Sequence, residues 1–186
     1  SADEIRFRND AAYVHVCSNE TIGGIQWKEF PDTGEAPLVI DMSSDVLSRP
    51  LPWERISMLY AGTQKNLAPA GMTLVIVKKD FLAAARRDLP AYLRYDLHAD
   101  SDSLFNTPPT FIVWMTTLIL RWVKSIGGLP EIERRRDARA AAVYRAIDES
   151  GGFYRTPVES ASRSTMNVVW TLVDARLDRE FLEGAE

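Results

Sequence analysis

Ser57-Met58-Leu59-Tyr60-Ala61-Gly62-Thr63-Gln64-Lys65-Asn66 is the stretch on which the fold turns. It opens with a largely apolar run that Gly62 stops. A run without polar alternation suits a strand covered on both faces of a sheet. Lys65 then stands just past the strand end, among small and polar residues. A lone lysine on a loop is ordinarily a solvated surface group. A crowded lysine can instead lose its proton and attack a carbonyl, forming a Schiff base.

Working outward, the same strand signature occurs at Tyr13–Cys17, Leu38–Met42 and Met72–Val77. Polar turn residues follow the first of these, from Ser18 to Gly24. Asp41 ends the second, 24 positions before Lys65. An aspartate there can simply cap a turn. Beside a Schiff-base lysine it has a second use, because its carboxylate can keep the pyridine nitrogen of pyridoxal phosphate protonated. Adjacent strand ends of an open α/β sheet are where such ligands bind.

The second half reads as helical. Asp80–Arg87 suggests a short helix, and 88–109 is irregular and rich in proline. Thr110–Ile126 predicts a long helix, too short for a membrane span and expected to be buried inside a protein. A charged helix follows from Pro130 to about Ser150, then a strand at Met166–Val173 and a further helix over Asp178–Glu186. Strands followed by helices predict an α/β fold. The chain begins just before a strand and ends within a helix, so both ends are expected to be cut from something longer.

Composition sets the remaining bounds. The 186 residues are 46% hydrophobic and 26% charged, with a formal net charge of -4. That balance gives no reason to expect nucleic acid or a membrane as partner. With Cys17 as the one cysteine, neither an intrachain disulfide nor a thiolate metal cluster can form, and no metal is expected. A reducing, cytoplasmic location is the default expectation. The polar start, Ser1 to Asp10, carries no signal-peptide pattern.

Several segments occur together in one order: Tyr13-Val14-His15, Asn19-Glu20-Thr21-Ile22, Asp41-Met42-Ser43-Ser44, Leu47-Ser48-Arg49-Pro50, Tyr60 to Asn66, Pro69-Ala70-Gly71, and Phe105-Asn106-Thr107-Pro108-Pro109-Thr110. In that order the chain, from about Ala12 to its last residue, resembles the phosphoserine aminotransferase family, class V members of the fold-type I transferases that use pyridoxal 5'-phosphate.

The resemblance implies a fold and a site. Residues 1–135 would be the second half of a cofactor-binding large domain with a mostly parallel sheet flanked by helices. Residues 136–186 would begin a smaller α/β C-terminal domain. Lys65 would hold the cofactor as a Schiff base and then move the substrate's α-proton. Asp41 would pair with the pyridine nitrogen, Thr21 would bond near the phenolic oxygen, and Gln64 would contact the phosphate. Asn106 and Thr107 would reach the phosphate of the cofactor bound by the neighbouring subunit, so the site would be shared in a homodimer. The implied reaction moves an amino group between glutamate and 3-phosphohydroxypyruvate. The family's glycine-rich phosphate loop, its ring-stacking aromatic residue and its substrate-binding basic residues have no counterpart here. The chain alone is therefore expected to be inactive. Two other readings stay open: a class V transferase with a different substrate, and a non-catalytic folding or assembly module.

Other residues carry plainer readings. Thr107 and the following prolines fit the cap and first turn of the helix after them. His15 reads as a satisfied core histidine, Cys17 as a small buried side chain, and the arginines from 134 to 139 as a solvated helix face.

Overall fold

The computed structural model describes residues 5–8 and 10–185; Ser1 to Glu4, Asn9 and Glu186, on which the polar start and the end of the last helix were read, lie outside them. In chain order the strands are β1 (Val14–Cys17), β2 (Asn19–Glu20), β3 (Ile25–Gln26), β4 (Leu38–Asp41), β5 (Ile56–Gly62), β6 (Thr73–Val77), β7 (Tyr154–Arg155) and β8 (Thr171–Leu172). The helices are α1 (Lys79–Ala83), α2 (Tyr95–Asp100), α3 (Thr110–Ser125), α4 (Leu129–Asp148) and α5 (Asp178–Ala185).

The main sheet has the order β1-β4-β5-β6. β1, β4 and β5 run parallel, and β6 is antiparallel to β5. The connection from β5 to β6 explains the reversal, because it is the short loop 63–72 and a parallel return takes a dozen or more residues. Lys65 lies in that loop. One face of the sheet carries the core, with Val16, Leu38, Ile40, Leu59 and Ala61 packed on Phe30 and Leu67. Ile40 is fully enclosed. Truncating it leaves a void as well as losing transferred surface, so Ile40→Ala is expected to lower unfolding free energy by about 2–5 kcal/mol, read from a denaturant midpoint.

Double burial holds only at the centre of the sheet. β4 is buried on both faces from Leu38 to Ile40. β1 alternates instead: Val14 and Val16 are buried, whereas His15 and Cys17 are exposed. The readings of His15 as a core histidine and of Cys17 as a buried side chain are therefore corrected. No described element covers that face of β1.

Helix boundaries show what packing contributes. α1 ends at Ala83, short of the expected Arg87, and buries none of its residues; a short helix without a packed face is marginal. α3 matches its predicted span but buries only Ile112 and Val123. Phe111, Trp114 and Trp122 are 61%, 55% and 51% exposed, so α3 is half-covered rather than enclosed. Its N-cap position is Pro109, without a side-chain cap, which removes Thr107 from that role. In α4, Arg134 and Arg135 pair with Glu131 on the surface, as a solvated face requires. Arg136 departs from it: this side chain is buried and donates to the Ser48 carbonyl at 3.1 Å.

The chain after α4 is docked by polar side chains rather than by a strand. The Asn19 amide donates to Asn167 Oδ1 at 2.8 Å, and the Ser164 hydroxyl donates to Asn19 Oδ1. Gln26 Oε1 accepts from the Thr165 backbone at 3.1 Å and from its hydroxyl at 2.9 Å. Met166 and Asn167 give their backbone N–H groups to Ser164 Oγ. This is why the strand expected over Met166–Val173 shrinks to β8, which pairs with β7. Asp45 lies beneath the same cluster, accepting from Ser18 and Gln26, and burial pushes its carboxyl above the ordinary value.

Asp96 shows the opposite shift. Arg94 donates to it at 2.7 Å and Arg87 also pairs with it. Hydrogen bonding by Arg94 holds its carboxyl down to about 2. A depressed folded value means that the pairing stabilises the fold above the ordinary value of about 4 and is lost as pH falls towards about 2. Thermal midpoints between about pH 5 and pH 2 are expected to drop less steeply in Asp96→Asn than in the parent.

Candidate active site

The turn that carries Lys65 is pinned on both sides. The Thr63 hydroxyl is buried against the Pro69 carbonyl at 2.6 Å and the Met72 carbonyl at 3.0 Å. The Asn66 amide donates to the Val46 carbonyl at 2.7 Å. Leu67 then re-enters the core. Residues 64 and 65, between these anchors, are turned outward and exposed. Gln64 folds back across Gly62: a Cβ at position 62 would sit 2.7 Å from Gln64 Oε1. The sequence Gly-Thr-Gln-Lys-Asn thus alternates close approach, anchor, outward pair and anchor.

Lys65 Nζ donates to Thr21 Oγ1 at 3.2 Å, joining residues 44 positions apart. Thr21 directly follows β2, whose Asn19 is locked by Ser44, Asn167 and Ser164. Asp41 ends β4, the strand next to β5. Its Oδ1 accepts from the Ser43 backbone at 2.8 Å, and Ser43 Oγ accepts from the Gly62 backbone at 2.9 Å. Asp41 is only half-buried, so its carboxylate can still meet a ligand.

An amine bonded to a hydroxyl, a half-exposed carboxylate at the adjacent strand end and an exposed primary amide form one group of side chains. They fit a ligand with an electrophilic carbonyl and a ring nitrogen that carries a proton. Asn106 and Thr107 stand outside the group. Both are exposed, and the Asn106 amide reaches only the Thr107 carbonyl, at 3.4 Å. Among the described residues no arginine hydrogen bonds to Thr21, Asp41, Gln64 or Lys65.

Two neighbours of the group were not read as functional from sequence. His15 Nε2 lies 2.9 Å from the Tyr60 hydroxyl, and their rings stack at 5.9 Å. Tyr60 is paired in register with Asp41. A signal for Tyr60 was present, as the one hydroxyl-bearing aromatic residue in an otherwise aliphatic run before Gly62.

The family model described as aminotransferase class-V matches residues 2–186. The chain belongs to the class-V aminotransferase family. Within this family it is 48% identical over 183 residues to the phosphoserine aminotransferase of Lysinibacillus sphaericus, covering 98% of this chain and 51% of that protein. Among solved structures it resembles the phosphoserine aminotransferase from Bacillus circulans subsp. alkalophilus, with a TM-score of 0.95 and 46% identity over 100% of this chain and 51% of that one. The PLP-bound phosphoserine aminotransferase from Trichomonas vaginalis matches with a TM-score of 0.89 and 36% identity, over 98% of this chain and 52% of that one. This class-V chain thus spans about half the length of the curated relatives it matches. Its α/β fold, with a mainly parallel central sheet and flanking helices, is that of these aminotransferases. No single helix among the described residues is long and apolar enough to cross a membrane.

Proposed function

We propose that this chain carries the lysine-bearing half of a phosphoserine transaminase site, with pyridoxal 5'-phosphate as cofactor. The substrates would be glutamate and 3-phosphohydroxypyruvate, and the products 2-oxoglutarate and phosphoserine. The observation that carries the reading is the contact between Lys65 Nζ and Thr21 Oγ1 at a strand end beside Asp41, in a chain 48% identical to a phosphoserine aminotransferase. When bound, the cofactor supplies an aldehyde for covalent attachment and a ring that withdraws electrons from the substrate.

This chain's own residues have separate tasks. Lys65 offers the amine for attachment and, once freed, carries the proton to and from the substrate's α-carbon. Asp41 offers a carboxylate to the ring nitrogen and keeps a proton there. The Thr21 hydroxyl orients the lysine and would bond near the cofactor's phenolic oxygen. Gln64 offers its amide to the phosphate. Asn106 and Thr107, exposed and apart from Lys65, suit donation to the site of a second subunit in a homodimer. In this reading residues 1–135 belong to the large domain and 136–186 begin the small one, the boundary falling within α4.

Lysine labelling tests the assignment directly. After incubation with pyridoxal phosphate and borohydride reduction, peptide mapping is expected to find the label preferentially on Lys65. The Lys28 and Lys78 amines are already engaged, with the Arg163 carbonyl at 2.6 Å and the Glu54 carbonyl at 2.6 Å. Equal labelling of Lys28, Lys78, Lys79 and Lys124 would remove Lys65 from its role.

A further inference from the structure

Residues 163–169, which follow α4, hold the short hairpin of β2 and β3 whose turn carries Thr21. They grip both strands and the turn. On β2, Asn19 is 1% exposed, and its amide donates to Ser44 Oγ at 2.9 Å and to Asn167 Oδ1 at 2.8 Å. On β3, Ile25 bridges to Arg163, and Gln26 Oε1 accepts from the Thr165 backbone and hydroxyl. In the turn, the Gly24 carbonyl accepts from the Ser164 backbone at 2.8 Å. Gly24 has a φ of +68°, and a Cβ there would meet Val169 Cγ2 at 2.8 Å, so this close approach requires glycine.

The inventory of donors fixes the direction of the buried bonds. Ser164 Oγ takes the N–H groups of Met166 and Asn167, so its one proton goes to Asn19 Oδ1. The Asn19 side-chain oxygen is thereby tied to Ser164, and its NH2 must face Ser44 and Asn167. Ser44 Oγ in turn donates to the Asn19 backbone carbonyl at 2.8 Å. Asn19 is held in both main chain and side chain, two residues before Thr21. The turn beyond it has little slack: Gly24 donates its N–H to the Glu20 carbonyl at 2.9 Å, and Ile22 donates to Glu20 Oε1 at 3.1 Å. Thr21 Oγ1 then accepts from Lys65 Nζ at 3.2 Å.

We infer that Asn19, Ser164 and Asn167 are positioning residues for Lys65, acting through Thr21: they fix the hairpin that sets the Thr21 hydroxyl against the lysine amine. Among the described residues none of the three hydrogen-bonds to Lys65 itself. Lys65 is exposed and its stem has several rotatable bonds, so a hydroxyl held in one place narrows where its amine can sit. The residues after α4 thus bear on the attachment lysine from about 100 positions away in sequence. This inference rests on the reading of Lys65 as the attachment lysine, but the positioning itself can be tested without cofactor.

Competitive acetylation of the purified chain, read lysine by lysine by peptide mapping, is that test. Asn167→Ala removes one acceptor at a half-buried position. The label on Lys65 relative to Lys78, whose amine is held by the Glu54 carbonyl, is expected to rise about 2- to 3-fold as the amine is released, the lower end of what one hydrogen bond is worth. Thr21→Ala is expected to give a similar rise, and the double variant no more than either. Asn167→Asp keeps the acceptor and is expected to return the parent ratio. Thr165→Val, which cuts the hydroxyl's bond to Gln26, is expected to shift the ratio the same way and is the second variant should Asn167→Ala not fold. A parent-like ratio in both Asn167→Ala and Thr165→Val, or effects of Asn167→Ala and Thr21→Ala that add, would overturn the inference. So would an equal rise at Lys124, which would mean a general loosening of the fold.

Pyridoxal phosphate followed by borohydride supplies the second arm. At subsaturating cofactor, Asn167→Ala is expected to lower the label on Lys65 about 2- to 3-fold, with nothing further lost when Thr21→Ala is added. An undiminished label would overturn the positioning role in attachment. If the parent's cofactor label falls equally on all lysines while the acetylation result holds, Lys65 leaves the cofactor site and the positioning survives. The two readings therefore fail separately.

Discussion

Supplied with excess pyridoxal phosphate, glutamate and 3-phosphohydroxypyruvate, the purified 186-residue chain is expected to release 2-oxoglutarate at least about tenfold more slowly than a full-length relative. Positioning decides this. Holding a substrate in one orientation can supply about 7–11 kcal/mol of a barrier. A doubly charged phosphate and a carboxylate need basic side chains to orient them, and no arginine bonds to the Lys65 group among the described residues. Gln64 and Lys65 are exposed, so attachment of the cofactor remains open to the chain while orientation of the substrate does not. Neither Asn106 nor Thr107 hydrogen-bonds to Lys65, and in the proposed reading their contribution needs a second subunit. A coupled assay for 2-oxoglutarate gives the answer. Turnover within tenfold of the relative would mean that the segments beyond this half are dispensable and that the site described here is sufficient.

Asp41→Asn, placed in a protein of the relatives' full length, is expected to slow amino transfer by about 10²-fold or more, a loss near 3 kcal/mol. The amide keeps the shape of the carboxylate but not its charge. It cannot hold a proton on the ring nitrogen, so the ring withdraws electrons less strongly when the α-proton leaves. Covalent capture by Lys65 is expected to survive, because the amine and its Thr21 partner are untouched. Single-turnover kinetics separate the two steps: labelling of Lys65 should persist while proton transfer slows. Near-normal turnover would remove Asp41 from the site.

Much of this site could be read before the fold was known. Asp41 is the polar residue that ends one apolar run and Lys65 stands three positions past the glycine that stops another, and a strand end is a local property of the chain. Residues 63 and 66, which pin the turn around Lys65, are also sequence neighbours of what they hold. Thr21 is different. Its link to Lys65 crosses 44 positions, and spacing alone gives no reason for the two to meet. Family resemblance brought Thr21 into the site only as a group near the cofactor's phenolic oxygen, and its contact with Lys65 is seen only in the structure. His15 was misread for the same reason in reverse. Apolar neighbours on β1 suggested enclosure, but a strand has two faces, and only the Val14 and Val16 face is covered.

By itself the sequence determined the four strands of the main sheet, the two long helices, the turn that presents Lys65 and the carboxylate at the neighbouring strand end. Apolar runs, glycine stops and proline starts act over a few residues, and those signals survive in any tertiary setting. Only the tertiary structure decided the order β1-β4-β5-β6, the reversal of β6, the exposure of α3 and the burial of Arg136 against Ser48. It also decided that Met166 and Asn167 would spend their backbone N–H groups on Ser164 rather than on a ladder. These outcomes depend on which distant surfaces meet and which groups they leave unsatisfied. Every buried N–H must find a partner somewhere, and the nearest acceptor in space need not be near in sequence.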